Sequence, residues 1–276
     1  PALIDELRAR SYEFFDLPLE QKQRMAPADR QTPRGYRALG FEALSAGNDQ
    51  ATPPDLKEYY HFGRERWPDE PYYTSEEGQR YFIPNLWPDA PAGWSAVAER
   101  YYAEMERLTG EMMSLCALAL GLDETFFATR IDRHITAMRV NHYPAQPSSP
   151  ASGQLRAGAH TDYGMLTILN SENKPGGLQV LTRSGTWVDV ETAPDTFVVN
   201  IGDLLMRWTN DRWVSNTHRV VNPPAGSPQE PRLSVAFFHH PNYDALIECV
   251  APEGEAKYPP VLSGAYRDMK YRQTRV

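Results

Sequence analysis

The stretch GAHTDYGMLTIL, residues 158–169, places a histidine and an aspartate one residue apart just before an apolar run. Successive side chains of a β-strand point to opposite faces, so we expect His160 and Asp162 to share one face and Thr161 to lie on the other. Imidazole and carboxylate groups are both common metal ligands. The stretch therefore predicts two ligands of a metal site, carried by a strand of a β-sheet core.

A third ligand has to come from elsewhere in the chain, and His218 is the best candidate. It lies in SNTHRVV, next to a β-prone run in the later part of the sequence. Adjacent histidines on a strand point to opposite faces and cannot share a metal there, which argues against the pair at 239–240. The histidines that we expect to have structural or surface roles are His61, His134, His142, His239 and His240.

Two histidines and one carboxylate form the ligand set of the non-haem Fe(II) oxygenases. Three protein ligands on one face of an octahedron leave three adjacent positions, enough for a bidentate co-substrate and O₂. A Zn²⁺ ion held by the same residues favours four-coordination and one activated water. The set of His160, Asp162 and His218 by itself leaves both metals open.

The segment RLSVAFF, residues 232–238, favours iron. Arg232 and Ser234 have the same i, i+2 spacing, so both are expected to face the same interior as the metal. A buried arginine without an anionic partner costs about 3–5 kcal/mol, and its planar fork matches a carboxylate. A dicarboxylate that chelates iron at one end would reach Arg232 and Ser234 at the other, whereas a zinc hydrolase has no such need.

Another group of polar side chains lies in RVNHY, residues 139–143. Arg139, Asn141 and Tyr143 share one face of the expected strand, where they can orient the co-substrate or the substrate. Arg139 in addition suggests an anionic group on the substrate. Polar residues at the mouth of a barrel also commonly hydrogen-bond only to one another, and this alternative stays open.

Composition and charge narrow the classes of function. The chain has 276 residues, 41% of them hydrophobic, which argues against disorder. The net charge of −8 argues against sequence-independent binding of nucleic acid, and no polybasic amphipathic stretch suggests a membrane surface. The two cysteines form no metal or redox spacing, and sparse cysteine is typical of a reducing compartment. We therefore expect a cytoplasmic protein.

The pattern along the chain predicts a single domain that is mainly β with flanking α-helices. Residues 1–134 are expected to be mostly helical or irregular, with a few short strands within 26–93 and a long amphipathic helix at about 94–120. Residues 135–250 contain many short apolar runs separated by Gly, Pro, Asn and Asp, which is typical of antiparallel strands that close into a barrel or sandwich. Residues 251–276 are expected to form a C-terminal tail or helix.

Two local features can be compared directly with a structure. KPGG (174–177) and TNDR (209–212) predict hairpin turns. Apolar residues recur at helical spacing along the long helix. The expected buried stripe of that helix contains Val97, Tyr101, Met105, Leu108, Met112, Leu115 and Ala119.

Three motifs that follow one another in the chain, HTDYGMLTIL, SNTHRVV and RLSVAFF, resemble the isopenicillin N synthase-like family of Fe(II)/2-oxoglutarate-dependent oxygenases. The resemblance covers essentially the whole chain and implies a double-stranded β-helix (jelly-roll) barrel supported by the long helix. It also implies that an N-terminal strand and helix of the family are absent from this sequence upstream of Pro1. Further segments that carry it are RGY…GFE (34–42), DLKEYYHFG (55–63), MRVNHYP (138–144), GGLQV (176–180) and VVNIGDLL (198–205).

The resemblance implies an enzyme that uses Fe(II), O₂ and 2-oxoglutarate as co-substrate. Such an enzyme couples the oxidative decarboxylation of 2-oxoglutarate to succinate and CO₂ with oxidation of a small-molecule substrate, in secondary metabolism or catabolism. Hydroxylation is the expected outcome, with desaturation or cyclisation as variants. The residues that the family motif assigns to iron are His160, Asp162 and His218.

The resemblance also assigns the rest of the site. The residues expected to hold 2-oxoglutarate are Arg232 and Ser234, at its C5-carboxylate, with Asn141 and Tyr143. Thr161, Tyr163 and Phe238 match positions that commonly line the substrate pocket, and Arg139 is a further candidate there. Aromatic side chains in barrels usually pack in the core, which is the alternative for Tyr163 and Phe238.

Three other functions remain open at this point. They are an Fe oxidase of the same family that uses no 2-oxoglutarate, a zinc hydrolase on the same triad, and a non-catalytic metal-binding barrel. Succinate production separates the first two from the oxygenase, and metal binding without oxygen consumption is expected of the third. The sequence names no substrate, and the oligomeric state is open, with a monomer as the simplest case.

Overall fold

The computed structural model describes residues 1–48, 52–146, 150–193, 195–250 and 255–274. Its helices are α1 (Ala2–Phe15), α2 (Leu19–Gln23), α3 (Pro71–Thr74), α4 (Trp94–Ala119), α5 (Ala128–Ile131), α6 (Asp203–Trp208) and α7 (Ser263–Thr274). Its strands are β1 (Gly35–Arg37), β2 (Glu58–Gly63), β3 (Ala137–Tyr143), β4 (Ala157–His160), β5 (Leu166–Ser171), β6 (Leu178–Leu181), β7 (Trp187–Asp189), β8 (Val198–Ile201), β9 (His218–Val220), β10 (Arg232–His239), β11 (Leu246–Ile247) and β12 (Val261–Leu262). Single 3₁₀ turns lie at Leu44–Asn48 and Gly78–Arg80.

A six-stranded antiparallel sheet, in the order β1-β2-β3-β10-β5-β8, forms the larger wall of the protein. Its two central strands, β3 and β10, are buried on both faces, and their side chains alternate in character. Met138 and Val140 of β3 belong to an apolar cluster, whereas Asn141 lines a cavity on the other face. The period of two thus separates an apolar face from a polar one along the same strand.

Helices α1 and α4 pack on the apolar face of this sheet. Phe14 of α1 stacks on Trp94 of α4 with 4.6 Å between ring centres, and Tyr102 of α4 meets Phe237 of β10 edge-on at 5.2 Å. These four side chains are at most 5% exposed and belong to one cluster with the inner residues of the sheet. Aromatic burial of this extent supplies much of the hydrophobic free energy of a domain.

A four-stranded antiparallel sheet, in the order β4-β9-β6-β7, forms the opposite wall. Apolar side chains of both sheets meet in a small cluster that includes Tyr143, Ala157, Leu178 and Val220. Beside this cluster lies a cavity of about 370 Å³, lined by β3, β5, β8 and β10 on one side and β4, β6 and β9 on the other. The functional site is therefore held between two sheets and not on the surface of either.

The expected class, mainly β with flanking helices, is confirmed. Among the described residues no strand pairing joins the two large sheets, so the closed jelly-roll barrel supported by the long helix stays a prediction. The long helix spans Trp94–Ala119, close to the expected 94–120, and Gly121 follows it with a left-handed φ of 74°. Of the segment 251–276, residues 251–254 and 275–276 lie outside the described residues, and α7 occupies most of the rest.

The expected buried stripe of α4 is right as far as Met112, which packs partly buried against the apolar clusters, and wrong at Leu115 and Ala119, which are exposed. Val97, Tyr101 and Met105 are buried as expected, but Leu115 is 64% exposed. The buried positions shift to Met113 and Ala117, because the second half of the helix joins a different apolar cluster, around α6. A buried face predicted from one constant residue spacing does not show where the helix begins to pack against a different part of the protein.

Three further expectations need correction. The β core, expected at 135–250, extends further, because two of the short strands expected within 26–93, β1 and β2, join the six-stranded sheet. KPGG (174–177) does not close a hairpin, because it connects β5 and β6, which belong to different sheets. TNDR (209–212) ends helix α6 instead, with two of its residues in the left-handed region. Hairpin turns and helix ends use the same residue types, so composition does not separate them.

None of the helices that the structure describes has the length and apolar character required to cross a membrane.

The packing predicts which side chains of β10 stabilise the fold. Phe237 is 1% exposed in the apolar cluster, so Phe237→Ala should lower the free energy of unfolding by about 3–5 kcal/mol. Leu118→Ala is the control, because Leu118 of α4 is 53% exposed and its loss should change stability by about 0.5 kcal/mol or less. Chemical denaturation measures both. Equal effects of the two substitutions would contradict the assignment of the core.

Candidate metal and co-substrate site

His160, Asp162 and His218 come together at the end of the four-stranded sheet. His160 is the last residue of β4 and lies directly opposite His218, the first residue of β9, in the antiparallel pair. Asp162 follows β4 in the turn before β5, so the expected single strand carrying both His160 and Asp162 is wrong by two residues. The side chains converge nevertheless, since the turn carries Asp162 back toward the two imidazoles.

The three side chains offer their ligand atoms to one point. One ligand atom from each lies within 4.8 Å of the others, and among the described residues this is the one such cluster of histidine, cysteine and carboxylate groups. The Nε2 atom of His160 is 3.9 Å from Oδ1 of Asp162, and the Nε2 atom of His218 is 3.7 Å from Oδ2. A metal ion bound by all three would have protein ligands on one side only, which is the facial arrangement.

Hydrogen bonds behind the three side chains fix which atoms face the centre. Nδ1 of His160 donates to the carbonyl of Gly158 at 2.7 Å, and Nδ1 of His218 donates to the carbonyl of Asn216 at 3.0 Å. A carbonyl only accepts, so each Nδ1 carries the proton and each Nε2 presents its lone pair. Nδ2 of Asn200 donates to Oδ2 of Asp162 at 2.8 Å and orients the carboxylate.

The electrostatics of the cluster favour the protonation states that bind metal. Burial, followed by the nearby His218, lowers the pKa of His160 to about 3, so its imidazole is neutral near pH 7. Burial by itself would raise the pKa of Asp162, but the two histidines and the Asn200 amide outweigh it and hold that pKa below its usual range. Neutral imidazoles and an ionised carboxylate are the forms that coordinate a divalent cation.

Arg232 lies at the far end of the same cavity with one guanidinium nitrogen free. It is 2% exposed, its Nε donates to the carbonyl of Glu172 at 3.1 Å, and its Nη2 donates to Oγ of Ser171. Its Nη1 is buried and has no hydrogen-bond partner among the described residues. The Glu172 carboxylate does not pair with it, because that group accepts from the backbone N–H of Leu233 and from the Tyr12 hydroxyl. The arrangement leaves a buried cation suited to an external carboxylate.

Three polar side chains line the cavity next to Arg232. In the β3–β10 pair, Arg232 lies opposite Tyr143 and Ser234 lies opposite Asn141. Nδ2 of Asn141 donates to Oγ of Ser234 at 3.4 Å, and Oγ of Ser234 donates to the Tyr143 hydroxyl at 3.5 Å. Bonds this long leave the three groups free to form shorter ones with a ligand.

Every residue expected from the sequence to belong to the site borders this one cavity. The full set is Arg139, Asn141, Tyr143, His160, Thr161, Asp162, Tyr163, His218, Arg232, Ser234 and Phe238. The alternative third ligands lie elsewhere or make other contacts: His142 bonds Glu58 on the opposite face of β3, at 2.8 Å. His240 does line the cavity but lies outside the ligand cluster.

Sequence reasoning missed several residues of the site. Asn200 lies in VVNIGDLL, but nothing in the neighbouring sequence indicates that its amide reaches Asp162. Glu42 and Lys57 lie in the segments GFE and DLKEYYHFG, which indicate no site role for them, and both line the cavity. Tyr271 of α7 also lines it. These residues reach the site through contacts with residues that are distant in the sequence. The spacing of residues along the chain does not predict such contacts.

Comparison with known proteins agrees with this geometry. The model of the 2OG-Fe(II) oxygenase superfamily matches residues 135–241, and that of the non-haem dioxygenase in morphine synthesis N-terminal matches residues 1–90. The chain is 38% identical over 268 residues to a 2-oxoglutarate-Fe(II) type oxidoreductase from Emericella nidulans, covering 92% of this chain and 74% of the relative. It is 32% identical over 256 residues to validamycin A dioxygenase from Streptomyces hygroscopicus subsp. limoneus, covering 91% and 68%.

A solved structure extends the similarity to the fold. A full-length protein of Neurospora crassa, in complex with alpha-KG and thymine, superposes with a TM-score of 0.82 at 34% identity, covering 99% of this chain and 83% of that one. The similarity therefore includes both sheets and the helices that pack on them.

The hydrogen bond from Asn200 generates a prediction for metal affinity. Asn200→Ala removes the donor to Asp162 and should weaken Fe(II) binding by about 10–100-fold, as loss of groups that orient a ligand usually does. Anaerobic titration with Fe(II) measures it. Asn170→Ala is the matched control: Asn170 lies on β5 but bonds Arg8 on the outer face, so its loss should leave the metal affinity unchanged. Wild-type affinity in Asn200→Ala would contradict the orienting role.

Proposed function

The chain belongs to the 2OG-Fe(II) oxygenase superfamily, and we propose that its cavity carries out the family reaction with His160, Asp162 and His218 as the iron ligands. As an enzyme of this family it is a 2-oxoglutarate-dependent Fe(II) dioxygenase, which couples conversion of 2-oxoglutarate to succinate and CO₂ with oxidation of a substrate by O₂. One observation supports the residue assignment best. The three ligand side chains, in a facial arrangement, share one cavity with the unpaired Nη1 of Arg232.

The three ligands hold a metal without further rearrangement of the protein. Both Nε2 lone pairs and the Asp162 carboxylate already face one centre, because backbone carbonyls and Asn200 hold the other atoms of these groups. Fe(II) bound there supplies the activation of O₂ and the oxidising power of the reaction. The protein supplies the open coordination side and the surrounding walls that exclude water.

We propose that Arg232 and Ser234 bind the distal carboxylate of 2-oxoglutarate. Nη1 of Arg232 is the unsatisfied donor, and the Ser234 hydroxyl is held only by long bonds. A carboxylate at this point would complete the hydrogen bonding of a buried cation that is otherwise unpaired. Asn141 and Tyr143 lie opposite Ser234 and Arg232. In this proposal they contact the part of 2-oxoglutarate between its distal carboxylate and the metal.

The substrate is a small organic molecule in this proposal. Thymine appears in the complex of the Neurospora crassa protein, and validamycin A in the name of another relative. Thr161, Tyr163, Phe238 and Arg139 are the proposed substrate contacts, since they border the cavity apart from the residues assigned to 2-oxoglutarate. Hydroxylation is the proposed outcome, with desaturation and cyclisation as variants.

Three remaining features belong to the same proposal. We expect the two large sheets to be the walls of a double-stranded β-helix supported by the long helix α4. We also expect residues 1–276 to act as a single domain, in the cytoplasm. These expectations rest on the sequence pattern and on the relatives, and each stays a prediction.

The role of Arg232 predicts a measurable loss of co-substrate affinity. Anaerobic addition of Fe(II) and then 2-oxoglutarate should produce the weak visible charge-transfer band of a chelated 2-oxo acid, and admission of O₂ should yield succinate. Arg232→Lys should weaken 2-oxoglutarate binding by about tenfold or more, because a point charge cannot replace the planar fork. Arg219→Lys is the control, since Arg219 of β9 bonds Gln179 and is absent from the cavity lining.

Two results would contradict this function. Absence of the band with iron bound would mean that the Arg232 end of the cavity takes some other ligand. An unchanged affinity for 2-oxoglutarate in Arg232→Lys would remove the anchor role while leaving the metal site intact. Alanine at His160, Asp162 or His218 should abolish succinate formation altogether.

A further inference from the structure

The substrate end of the cavity contains a second buried arginine, Arg139, whose situation is opposite to that of Arg232. Its Nη1 donates to Oε1 of Glu42 at 2.8 Å, so its charge is already paired. The same Glu42 oxygen accepts from Nζ of Lys57 at 2.9 Å, and Lys57 also contacts Oδ2 of Asp55 at 3.0 Å. Two buried cations and two buried anions thus form one network, which we call the Glu42 network (Glu42, Asp55, Lys57 and Arg139).

Three members of the Glu42 network, Glu42, Lys57 and Arg139, have pKa values shifted in favour of their charged forms by one another. Burial raises the pKa of the fourth member, Asp55, and the Lys57 ammonium opposes that shift. Burial by itself would raise the pKa of Glu42, but Arg139 and Lys57 outweigh it and lower that pKa to about 2. Glu42, Asp55 and Lys57 are each at most 6% exposed, so little water reaches these groups. The guanidinium carbon of Arg139 lies 4.0 Å from the centre of the Tyr59 ring, which holds the group flat. The network is a rigid wall and not a set of mobile surface charges.

One donor of the network has no partner. The Nε of Arg139 is buried and makes no hydrogen bond with any described residue, while Arg139 and Glu42 both line the cavity. Phe238 lies beside it, with its ring centre 5.7 Å from the guanidinium carbon. A buried N–H without an acceptor is costly, so this position is suited to an acceptor atom supplied by a ligand.

Strand register places that donor near the metal and away from the co-substrate anchor. Arg139 lies opposite Ala236 on β10, four residues or about 13 Å along the strand from Arg232. Asn200, which bonds Asp162, pairs with Thr167, and Thr167 pairs with Phe238. The free Nε of Arg139 therefore belongs to the metal-ligand end of the cavity, where the substrate has to lie.

The charges of the Glu42 network are paired with one another before any substrate enters. Glu42 and Asp55 are the carboxylates of this network, and Lys57 and Arg139 are the cations that contact them. Fe(II) and the 2-oxoglutarate dianion, bound as proposed above, also balance each other. A charged substrate group would bring an uncompensated charge into a buried site, whereas a neutral acceptor would not.

We propose that Arg139 selects substrates with a neutral carbonyl acceptor, an amide or a lactam, which accepts a hydrogen bond from its Nε. This inference rests on the proposed function and makes Arg139 a specificity-determining residue. Glu42 already neutralises the charge of Arg139 within the protein. Arg139 therefore gives no reason to expect an anionic group on the substrate. Amide carbonyls are strong neutral acceptors, and a flat amide or lactam can lie against Phe238.

A set of three probes of nearly equal shape tests the charge preference. Benzamide, benzoate and benzamidine are neutral, anionic and cationic, and each would be titrated by calorimetry into the anaerobic protein with Fe(II) and saturating 2-oxoglutarate. We expect benzamide to bind about tenfold or more tightly than either ion, the range of one hydrogen bond to a charged donor plus an avoided charge burial. Tighter binding of benzoate, or no binding of benzamide, would overturn the proposal.

Arg139→Met supplies the second arm of the test. The substitution should weaken the binding of benzamide by about tenfold. It also leaves the Glu42 network with one excess negative charge, so the cationic benzamidine should become the preferred probe. A gain of affinity for benzamidine cannot come from misfolding. Unchanged preferences in Arg139→Met would also overturn the proposal.

The charge-transfer band with 2-oxoglutarate separates this inference from the proposed function. Because Arg139 lies away from the proposed co-substrate anchor, the band should persist in Arg139→Met. Loss of the band in the wild-type protein counts against the oxygenase assignment. A band with the wrong probe preference counts against Arg139 alone.

Discussion

The antiparallel pairing of β3 with β10 is the constraint on which the rest of the structure depends. It sets Arg232 opposite Tyr143 and Ser234 opposite Asn141, and it continues without a bulge to the pair formed by Phe238 and Ala137. A slip of either strand by one residue would turn the polar side chains that this strand contributes to the site toward the apolar cluster under α1 and α4. Hydrophobic burial on one face therefore holds the polar residues of the other face in register.

The polar residues of the site can be buried because almost all of their charged and polar groups have hydrogen-bond partners. Each histidine of the metal cluster donates to a backbone carbonyl, and Asp162 accepts from Asn200. Buried groups left without partners are costly, so the few that remain are informative. Nη1 of Arg232 and Nε of Arg139 are the two that border the cavity on β3 and β10, one at each end.

Much of this site could be predicted from short-range patterns. The H-x-D spacing, the later histidine and the R-x-S pair each depend on the strand period or on a family motif, and all of these residues border one cavity. What could not be predicted depends on contacts distant in sequence. Glu42 reaches Arg139 across the chain, and the KPGG turn crosses between sheets where a hairpin was expected. Local composition does not encode which sheet a strand joins, so those errors have one physical origin.

The Glu42 network connects the substrate end of the cavity to the metal cluster. Oδ2 of Asp55 contacts Lys57, and Oδ1 of Asp55 accepts the backbone N–H of Gly158 at 3.0 Å. The carbonyl of Gly158 in turn accepts from Nδ1 of His160, and a side chain at position 158 would collide with Ser45. The ion pairs of the Glu42 network, at the proposed substrate end, thus also fix the end of β4. This strand end orients His160, one of the proposed iron ligands. Loss of Asp55, the member of the network that contacts Gly158, would disturb the orientation of His160, whereas Arg232 is held by separate contacts to Ser171 and Glu172. The proposed co-substrate anchor is therefore positioned independently of the Glu42 network, whereas the proposed iron ligand His160 is positioned through it.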